Sequence, residues 1–371
     1  MKRILSIDIL RGITVAGMIL VNNPGASGSQ YAPLKHALWN GMTPTDLVFP
    51  FFLFIMGISG YFSLSKRLDA GFGTTILHVF KRSVMIFLVG TILQMVSMMA
   101  GGNFDFSTYR IMGVLQALAF TYLFGSAIMM GLKFRHMVPV ALAILAGYSV
   151  LLLCGNGFSL STDNIIAKVD AFILGEGHLY SIRTLEGGRI PFDPEGIVSL
   201  IPKISHYLLG AFLGKIIIDG RGKEYAALSN ILLFGAFSLM SGYLLQYGLP
   251  LNKMIWSPSF VLVTSGYASL LLGVLMWVID IKGKNQWTGF FGVFGTNPLF
   301  LYCLAWVFAI LMRTRIPAAD GVITVKNLFF STCIGPYLGV QFGSLVYSIL
   351  FVSLVWLVGL PLYRKHIYIK L

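Results

Sequence analysis

One histidine stands in a setting suited to acid–base or nucleophilic chemistry. His36 lies in the polar, turn-rich segment 22–43, and imidazole titrates near neutral pH, so it can accept a proton or attack a carbonyl carbon. The adjacent Lys35 ammonium would disfavour imidazolium and keep the ring neutral. Asp46 is a candidate carboxylate to orient the ring, although Thr43-Pro44-Thr45-Asp46 is also the pattern of a helix start.

Further polar and aromatic residues flank or interrupt apolar segments and are candidates to bind a substrate or line its site. Trp39 and Trp256 are flat enough to stack on a sugar ring, although tryptophan is also common at membrane interfaces. Asn297-Pro298 puts an amide and a helix breaker inside an apolar run, which predicts a cavity there. The candidate set is Trp39, Asn40, Asp46, Arg110, Gln116, Asp193, Asn252, Lys253, Trp256 and Asn297.

Two pairs of ionisable residues interrupt apolar stretches, where charge is costly. Asp8 and Arg11 are three residues apart, as are Lys203 and His206, so each pair shares a helix face. The first pair fits a buried ion pair or a substrate contact equally well. The second follows Pro202, and we interpret it as a buried polar pocket.

The elements that position these residues are membrane helices. Of the 371 residues, 56% are hydrophobic and only 11% are charged, a composition that requires lipid as the solvent. No polar stretch is long enough for a separate soluble domain. We therefore predict one membrane-embedded domain, residues 1–371, of all-α class.

A spanning helix needs about 20 apolar residues, and ten segments qualify. The segment 326–337 is apolar but short and reads as interfacial or re-entrant; if it spans, the count is eleven. The ten predicted spans are 5–22, 44–65, 81–100, 110–130, 136–155, 196–218, 225–247, 257–281, 289–312 and 341–363.

Basic residues orient the predicted bundle. Sixteen fall on the side that holds both termini and nine on the other, so both termini are predicted to be cytoplasmic. His36 and the long loop 155–195 then face the periplasm of a multi-pass inner-membrane protein. The +13 charge is explained by these loops, so nucleic acid is not an expected partner.

Cysteine usage and the first residues add little. Cys154, Cys303 and Cys333 match no disulfide or metal-ligand spacing, so no metal is expected. Asp8 and Arg11 interrupt the first apolar run, which favours an uncleaved first helix over a signal peptide.

Many short motifs, in order, resemble the heparan-alpha-glucosaminide N-acetyltransferase family, which belongs to a wider group of transmembrane acyltransferases. The resemblance covers nearly the whole chain. Its most specific stretches are Ser6 to Gly12, Val21-Asn22, Lys35-His36-Ala37, Trp39-Asn40-Gly41, Asp46 to Pro50, Arg110-Ile111, Gly113 to Gln116, Phe192 to Gly196, Asn252-Lys253 and Trp287-Thr288-Gly289.

The resemblance implies transfer of acetyl from cytosolic acetyl-CoA, as co-substrate, to the amine of a glucosamine-type sugar across the membrane. It assigns His36 as the catalytic residue, places Asn22 beside it, and makes Arg11 and Arg110 site or structural residues. The chain departs from the family in two ways. Ala305 stands where the family has a histidine, and the luminal domain that precedes the membrane part in the family is not expected here. The acceptor, a small amino sugar or a glycan end, is therefore left open.

The implied reaction requires sites for both substrates. Basic residues are expected to hold the phosphates of the donor, namely Lys66, Arg67, Lys81, Arg82 and Lys215. His36 acts either as base or as the acetyl-accepting nucleophile, with Asn22 donating to the oxyanion. An amino-sugar permease and an O-acyltransferase of envelope glycans are the alternatives, and a homodimer is left open.

Overall fold

The structure is a computed structural model that describes residues 4–68, 71–102, 104–184, 187–318 and 321–369. Helices dominate these ranges, and the strands form only two short antiparallel hairpins. The predicted all-α class is therefore confirmed. Lys2, Arg3 and Lys370, which contributed to the predicted orientation, lie outside the described residues.

The elements are numbered in chain order. The helices are α1 (Leu5–Asn22), α2 (Val48–Arg67), α3 (Phe72–Ala100), α4 (Val114–Gly131), α5 (Met137–Cys154), α6 (Ile165–Leu174), α7 (Leu200–Asp219), α8 (Glu224–Leu245), α9 (Pro258–Leu275), α10 (Gly289–Thr296), α11 (Pro298–Met312), α12 (Val325–Phe329), α13 (Gly335–Leu338) and α14 (Val340–Arg364). The strands are β1 (Ser181–Arg183) paired with β2 (Arg189–Pro191), and β3 (Arg315–Ala318) paired with β4 (Gly321–Thr324).

The number of membrane-spanning elements agrees with the ten-helix prediction. Nine helices of the described part are long and apolar enough to cross a membrane, and the count is ten if α10 and α11, bent by 74° at their junction, form one span. The protein is thus a polytopic membrane protein. Residues 326–337 lie within α12, a π-helical turn and α13, and none of these short helices reaches spanning length.

Two helix starts differ from the prediction. The third helix begins at Phe72, just after Gly71 in a positive-φ conformation, so Lys81 and Arg82 lie inside α3. Long basic side chains favour helix and can extend their charges to the membrane surface, so they did not mark a helix end. The fourth helix begins at Val114, which leaves Arg110 in the connection before α4.

Glycines allow the closest helix contacts in the bundle. A β-carbon added to Gly57 of α2 would overlap the Tyr207 carbonyl of α7, and one added to Gly210 of α7 would overlap the Phe54 carbonyl of α2. Small residues at such crossings let two backbones approach closely, which is how membrane helices gain packing energy without a hydrophobic driving force.

Arg11 and Lys203, two of the charged residues that interrupt apolar stretches, both bind polar partners. Arg11 bonds Asp8 at 3.0 Å, as their shared helix face allows, and Ser59 of α2 at 2.5 Å, which links α1 to α2. Lys203 is fully buried and donates to the Pro194 carbonyl at 2.8 Å and to Ser199 Oγ at 2.6 Å.

Replacement of Gly57 by alanine is expected to destabilise the bundle by about 1–3 kcal/mol, because the added methyl group meets backbone that cannot move aside. The measurement is the melting temperature of the purified protein in detergent. Gly147→Ala is the matched control, since Gly147 lies in α5 with nothing within 4 Å of an added β-carbon. Equal melting temperatures for Gly57→Ala and the unaltered protein would contradict the packing argument.

Candidate active site

The Asp46 carboxylate is fixed at the turn that leads into α2. Its Oδ2 accepts the backbone N–H of Thr43 at 3.0 Å and that of Ala37 at 3.1 Å. Thr43 and Asp46 form a capping box, as the sequence pattern predicted. These bonds hold the second oxygen, Oδ1, toward His36.

His36 Nδ1 lies 2.6 Å from Asp46 Oδ1. The carboxylate is buried, whereas 41% of the His36 side chain is exposed. The sequence left Asp46 between two roles, helix cap and partner of the histidine. The structure gives it both, one through each oxygen.

Lys253 completes a three-residue cluster. Its Nζ lies 2.9 Å from His36 Nδ1 and 3.3 Å from Asp46 Oδ1. The short distance from Nδ1 to a carboxylate oxygen requires a hydrogen on Nδ1, so the lysine cannot also donate to that nitrogen. We therefore assign Nδ1–H and Lys253 as donors to the same carboxylate oxygen, which leaves the lone pair of the ring on Nε2.

The connection between α8 and α9 carries Lys253 to this position. Gly41 N–H donates to the Leu251 carbonyl at 2.7 Å, and Asn252 Nδ2 donates to Asn40 Oδ1 at 3.2 Å. Burial lowers the pKa of the Lys253 ammonium, and the Asp46 and Glu195 carboxylates offset only part of that shift. The ammonium in contact with His36 is thus that of Lys253, whereas the sequence had suggested Lys35.

His36 faces a cavity of about 520 Å³, here called the outer cavity. The cavity lies between one end of α1, α2, α3, α4 and α11 and the long loop after α5. Of the predicted site residues, Asn22, His36, Arg110 and Lys253 line it, and so does Ala305. Residues that the prediction missed include Tyr180, Glu195, Tyr302 and Trp306.

Arg110 joins the long loop to the outer cavity. Its guanidinium binds Asp193 through two bonds of 2.8 and 2.6 Å and Glu195 through one of 2.6 Å. Burial lowers the pKa of Arg110, but the two carboxylates outweigh that effect and raise it above its ordinary value. Asp193, a candidate binding or site-lining residue in the sequence, anchors this ion pair.

A second cavity of about 450 Å³, the inner cavity, lies at the other end of the same five helices. Arg11, Arg67, His78 and Arg82 give it a basic lining. The buried Nε of Arg82 has no hydrogen-bond partner among the described residues. Of the five predicted phosphate ligands, Arg67 and Arg82 line this cavity, whereas Lys66, Lys81 and Lys215 do not.

The two cavities are stacked along shared helix faces. On α2 the outer cavity ends at Phe49 and the inner one begins at Phe52, and on α11 the corresponding residues are Tyr302 and Leu299. Three helical residues rise about 5 Å, so the partition is about one helical turn thick. From Val48 to Arg67 the stack spans about 28 Å along α2, close to the roughly 30 Å of a bilayer core.

Both tryptophans suggested for sugar stacking are buried. Trp39 donates from Nε1 to the Phe158 carbonyl at 2.7 Å and packs edge-on against Phe192. Trp256 packs against Phe49 and lies 4.9 Å from the Lys203 ammonium. Neither lines a described cavity.

Other predicted residues do not line the outer cavity. Gln116 and His206 are fully buried, and His206 Nε2 lies 3.4 Å from Ser265 Oγ. Asn297 sits at the break between α10 and α11, where its amide bonds Ile367 at 2.9 Å and Ile369 at 2.8 Å. The residues on either side of it, Thr296 and Pro298, line the inner cavity, so the predicted cavity lies beside this breaker.

Together, the fold and the site define an all-α polytopic membrane protein with a histidine–carboxylate–lysine cluster at one end of a helix bundle and a basic cavity at the other. Residues 3–247 match the family described as heparan-alpha-glucosaminide N-acetyltransferase, catalytic, and the chain belongs to that family. The expected family is thereby confirmed.

Two curated relatives carry the name heparan-alpha-glucosaminide N-acetyltransferase. The human protein is 31% identical over 352 residues, covering 81% of this chain and 52% of its own length. The mouse protein is 29% identical over 358 residues, covering 81% of this chain and 53% of its own length. The chain thus spans about half the length of the curated relatives it matches.

Asp170 offers a test of the buried charge network behind Arg110. Burial raises the pKa of this carboxyl to about 6, and the Asp193 charge adds to the effect. The folded protein therefore holds a proton that the unfolded chain has released between pH 3.8 and about 6. Ionisation of Asp170 therefore lowers the free energy of unfolding as pH rises through that window, and the full loss applies above it.

Asp170→Asn keeps the Oδ1 atom that accepts Val198 N–H at 3.1 Å and removes the charge. Relative to the unaltered protein, it is expected to gain on the order of 2 kcal/mol above pH 6 and little near pH 4. Melting temperatures measured from pH 4.5 to 7.5 check this. A difference that does not change with pH would exclude titration of Asp170 as the cause.

Proposed function

We propose that the protein transfers an acetyl group from acetyl-CoA in the inner cavity to the amine of a glucosamine-type sugar in the outer cavity. One observation carries the proposal: the two cavities are stacked between the same five helices, with His36 at one end and arginines at the other. Family membership supplies the class of reaction, because the relatives are named as N-acetyltransferases.

The inner cavity suits the phosphates of the donor. Arg67 and Arg82 are permanently charged and present several N–H groups in a fixed plane, which is the geometry that phosphate oxygens prefer. The Arg82 Nε–H has no partner within the described chain, so it is available to such a ligand. The narrow pantetheine arm would then extend past Phe52 toward His36.

His36 can act as a general base. Its Nε2 lone pair takes a proton from the attacking amine while the new C–N bond forms and the thioester C–S bond breaks. The proton then passes to the departing thiolate, which regenerates the neutral ring. Asp46 stabilises the imidazolium that forms in between, as buried carboxylates do in other histidine sites.

His36 can also act as a nucleophile. Nε2 would attack the thioester carbonyl and expel the CoA thiolate as the C–S bond breaks. The sugar amine would then displace the neutral imidazole from the acetyl group and pass its proton to the thiolate. Asn22 lines the same cavity and would donate to the oxyanion in either route. Labelled acetyl that stays on the protein when no acceptor is present would distinguish this route from direct transfer.

We infer an orientation from the charge distribution. The basic inner cavity faces the cytoplasm, together with both chain termini, and His36 and loop 155–195 face the periplasm of an inner-membrane protein. In this arrangement acetyl-CoA is drawn from the compartment in which it is made.

The stacked cavities also suit an amino-sugar permease, in which a thin partition would open on alternate sides. A permease accumulates sugar in vesicles without consuming a donor. An O-acyltransferase would label hydroxyl groups of a glycan from acetyl-CoA. Vesicles given labelled acetyl-CoA and a panel of amino sugars and glycans therefore separate the three functions.

His36→Ala and Asp46→Asn are expected to lower the rate of acetyl transfer by about 100-fold or more, because each removes the general base or its orientation. The assay is transfer of labelled acetyl to glucosamine by purified protein. His136→Ala is the control, since His136 is exposed and lines neither stacked cavity. Full activity in a correctly folded His36→Ala protein would overturn both proposed routes.

Arg82→Gln is expected to raise the KM for acetyl-CoA by about tenfold, since one charge-assisted contact to phosphate is lost. Lys81→Gln is the matched control: it removes the same charge one residue away on an exposed part of α3 outside the inner cavity. An equal change in the KM for acetyl-CoA in the two variants would show that acetyl-CoA binds outside the inner cavity.

A further inference from the structure

Tyr180 is an aromatic residue held at the outer cavity by the long loop. It precedes β1, and 49% of it is exposed. The Arg110 guanidinium lies 4.9 Å from the centre of its ring. Tyr180 lines the outer cavity and about half of it is exposed, so it can contact a ligand there.

The loop fixes the backbone of Tyr180 with two hydrogen bonds. Tyr180 N–H donates to Asp193 Oδ2 at 3.3 Å, and the Tyr180 carbonyl accepts Phe192 N–H at 2.7 Å. Asp193 also binds Arg110, so the carboxylate that holds the backbone of Tyr180 also holds the cation beside its ring. The backbone of Tyr180 is therefore preorganised, and the Arg110 guanidinium lies against its ring, which limits the freedom lost when a ligand stacks on it.

Glu195 lines the same cavity as this ring and binds the same guanidinium, that of Arg110. Its Oε2 accepts Arg110 at 2.6 Å, whereas Oε1 has no hydrogen-bond donor among the described residues. Burial raises the pKa of Glu195, but the Arg110 and Lys203 charges outweigh burial and lower it, so the group is an anion. A carboxylate oxygen and an aromatic ring, both in contact with Arg110, are thus presented in one cavity.

We propose that Tyr180 and Glu195 form the acceptor subsite, which selects a pyranose ring bearing hydroxyl and ammonium groups. The aliphatic C–H face of the sugar packs on the electron-rich face of Tyr180, and Glu195 Oε1 accepts a hydrogen bond from a hydroxyl or from the ammonium. This inference rests on the proposed function and adds the acceptor-binding residues to it. The two residues are binding residues, and His36 performs the transfer.

The subsite gives the long loop a function in acceptor choice. An aliphatic amine can meet Nε2 of His36 but offers no ring to Tyr180 and no hydroxyl to Glu195. A glucosamine-type acceptor engages all three groups. We therefore expect Tyr180 to affect the KM for an amino sugar and to leave that for a simple alkylamine unchanged.

The test compares Tyr180→Ala and Tyr180→Phe in the full chain. The alanine variant is expected to raise the KM for glucosamine about tenfold with an unchanged KM for acetyl-CoA, and the phenylalanine variant, which keeps the ring, to stay within about threefold. Tyr247→Ala is the matched control, because Tyr247 is an exposed tyrosine outside the described cavities. If Tyr180→Ala leaves the KM for glucosamine unchanged, or raises the KM for glucosamine and that for acetyl-CoA equally, the proposed subsite is wrong.

Sugar binding without turnover separates the two proposals. Titration calorimetry with glucosamine on the His36→Ala protein measures the subsite alone, and adding Tyr180→Ala to it is expected to weaken binding about tenfold. If the unaltered protein transfers no acetyl but this difference is found, the proposed function fails and the subsite stands. If transfer occurs and Tyr180→Ala changes neither KM nor binding, the subsite fails and the function stands.

Discussion

The Asp46 carboxylate is the interaction on which the arrangement of the outer cavity depends. One oxygen closes the helical turn before α2 and binds the loop at Ala37, and the other receives His36 and Lys253. The segment 36–46 and Lys253, which is distant in sequence, therefore meet at one buried anion. Such an anion is stable in a low-dielectric site only while its donors stay in place, so the partners hold each other.

The same constraint organises the long loop between α5 and α7. Arg110 is neutralised by Asp193 and Glu195, and Lys203 lies behind them with its ammonium on the Pro194 carbonyl. Each charge is costly at this depth, and each becomes tolerable because an opposite charge or a carbonyl faces it. The loop shares an apolar cluster with α5 through residues such as Ile166 and Phe192, and the paired charges fix the part of it that carries Tyr180.

Local patterns predicted the helices and several pairings, but they did not predict which side chains would line a cavity. The number of spans and the Asp8–Arg11 bridge depend on hydrophobic length and helical spacing, which can be read directly. The Asp46 capping box could also be predicted, because it is a local pattern of four residues.

The approach of Lys253 to His36 spans 217 residues and depends on the bonds between residues 40–41 and 251–252, for which the sequence has no local signal. Trp39 and Trp256 were misread because an aromatic residue near a membrane surface can point into the core as readily as into a cavity. A signal was available for Tyr302 and Trp306, whose helical spacing continues through Ala309 to Arg313 along one side of α11.

In the proposed reaction that side of α11 forms part of the route from Leu299 at the inner cavity to the outer cavity. The partition there is apolar and about one helical turn thick, so it can exclude a continuous column of water and still yield to a narrow, flexible arm. Acetyl transfer across a membrane then requires only a local displacement of side chains such as Phe52 and Tyr302, because the sugar and the phosphates never leave their own sides.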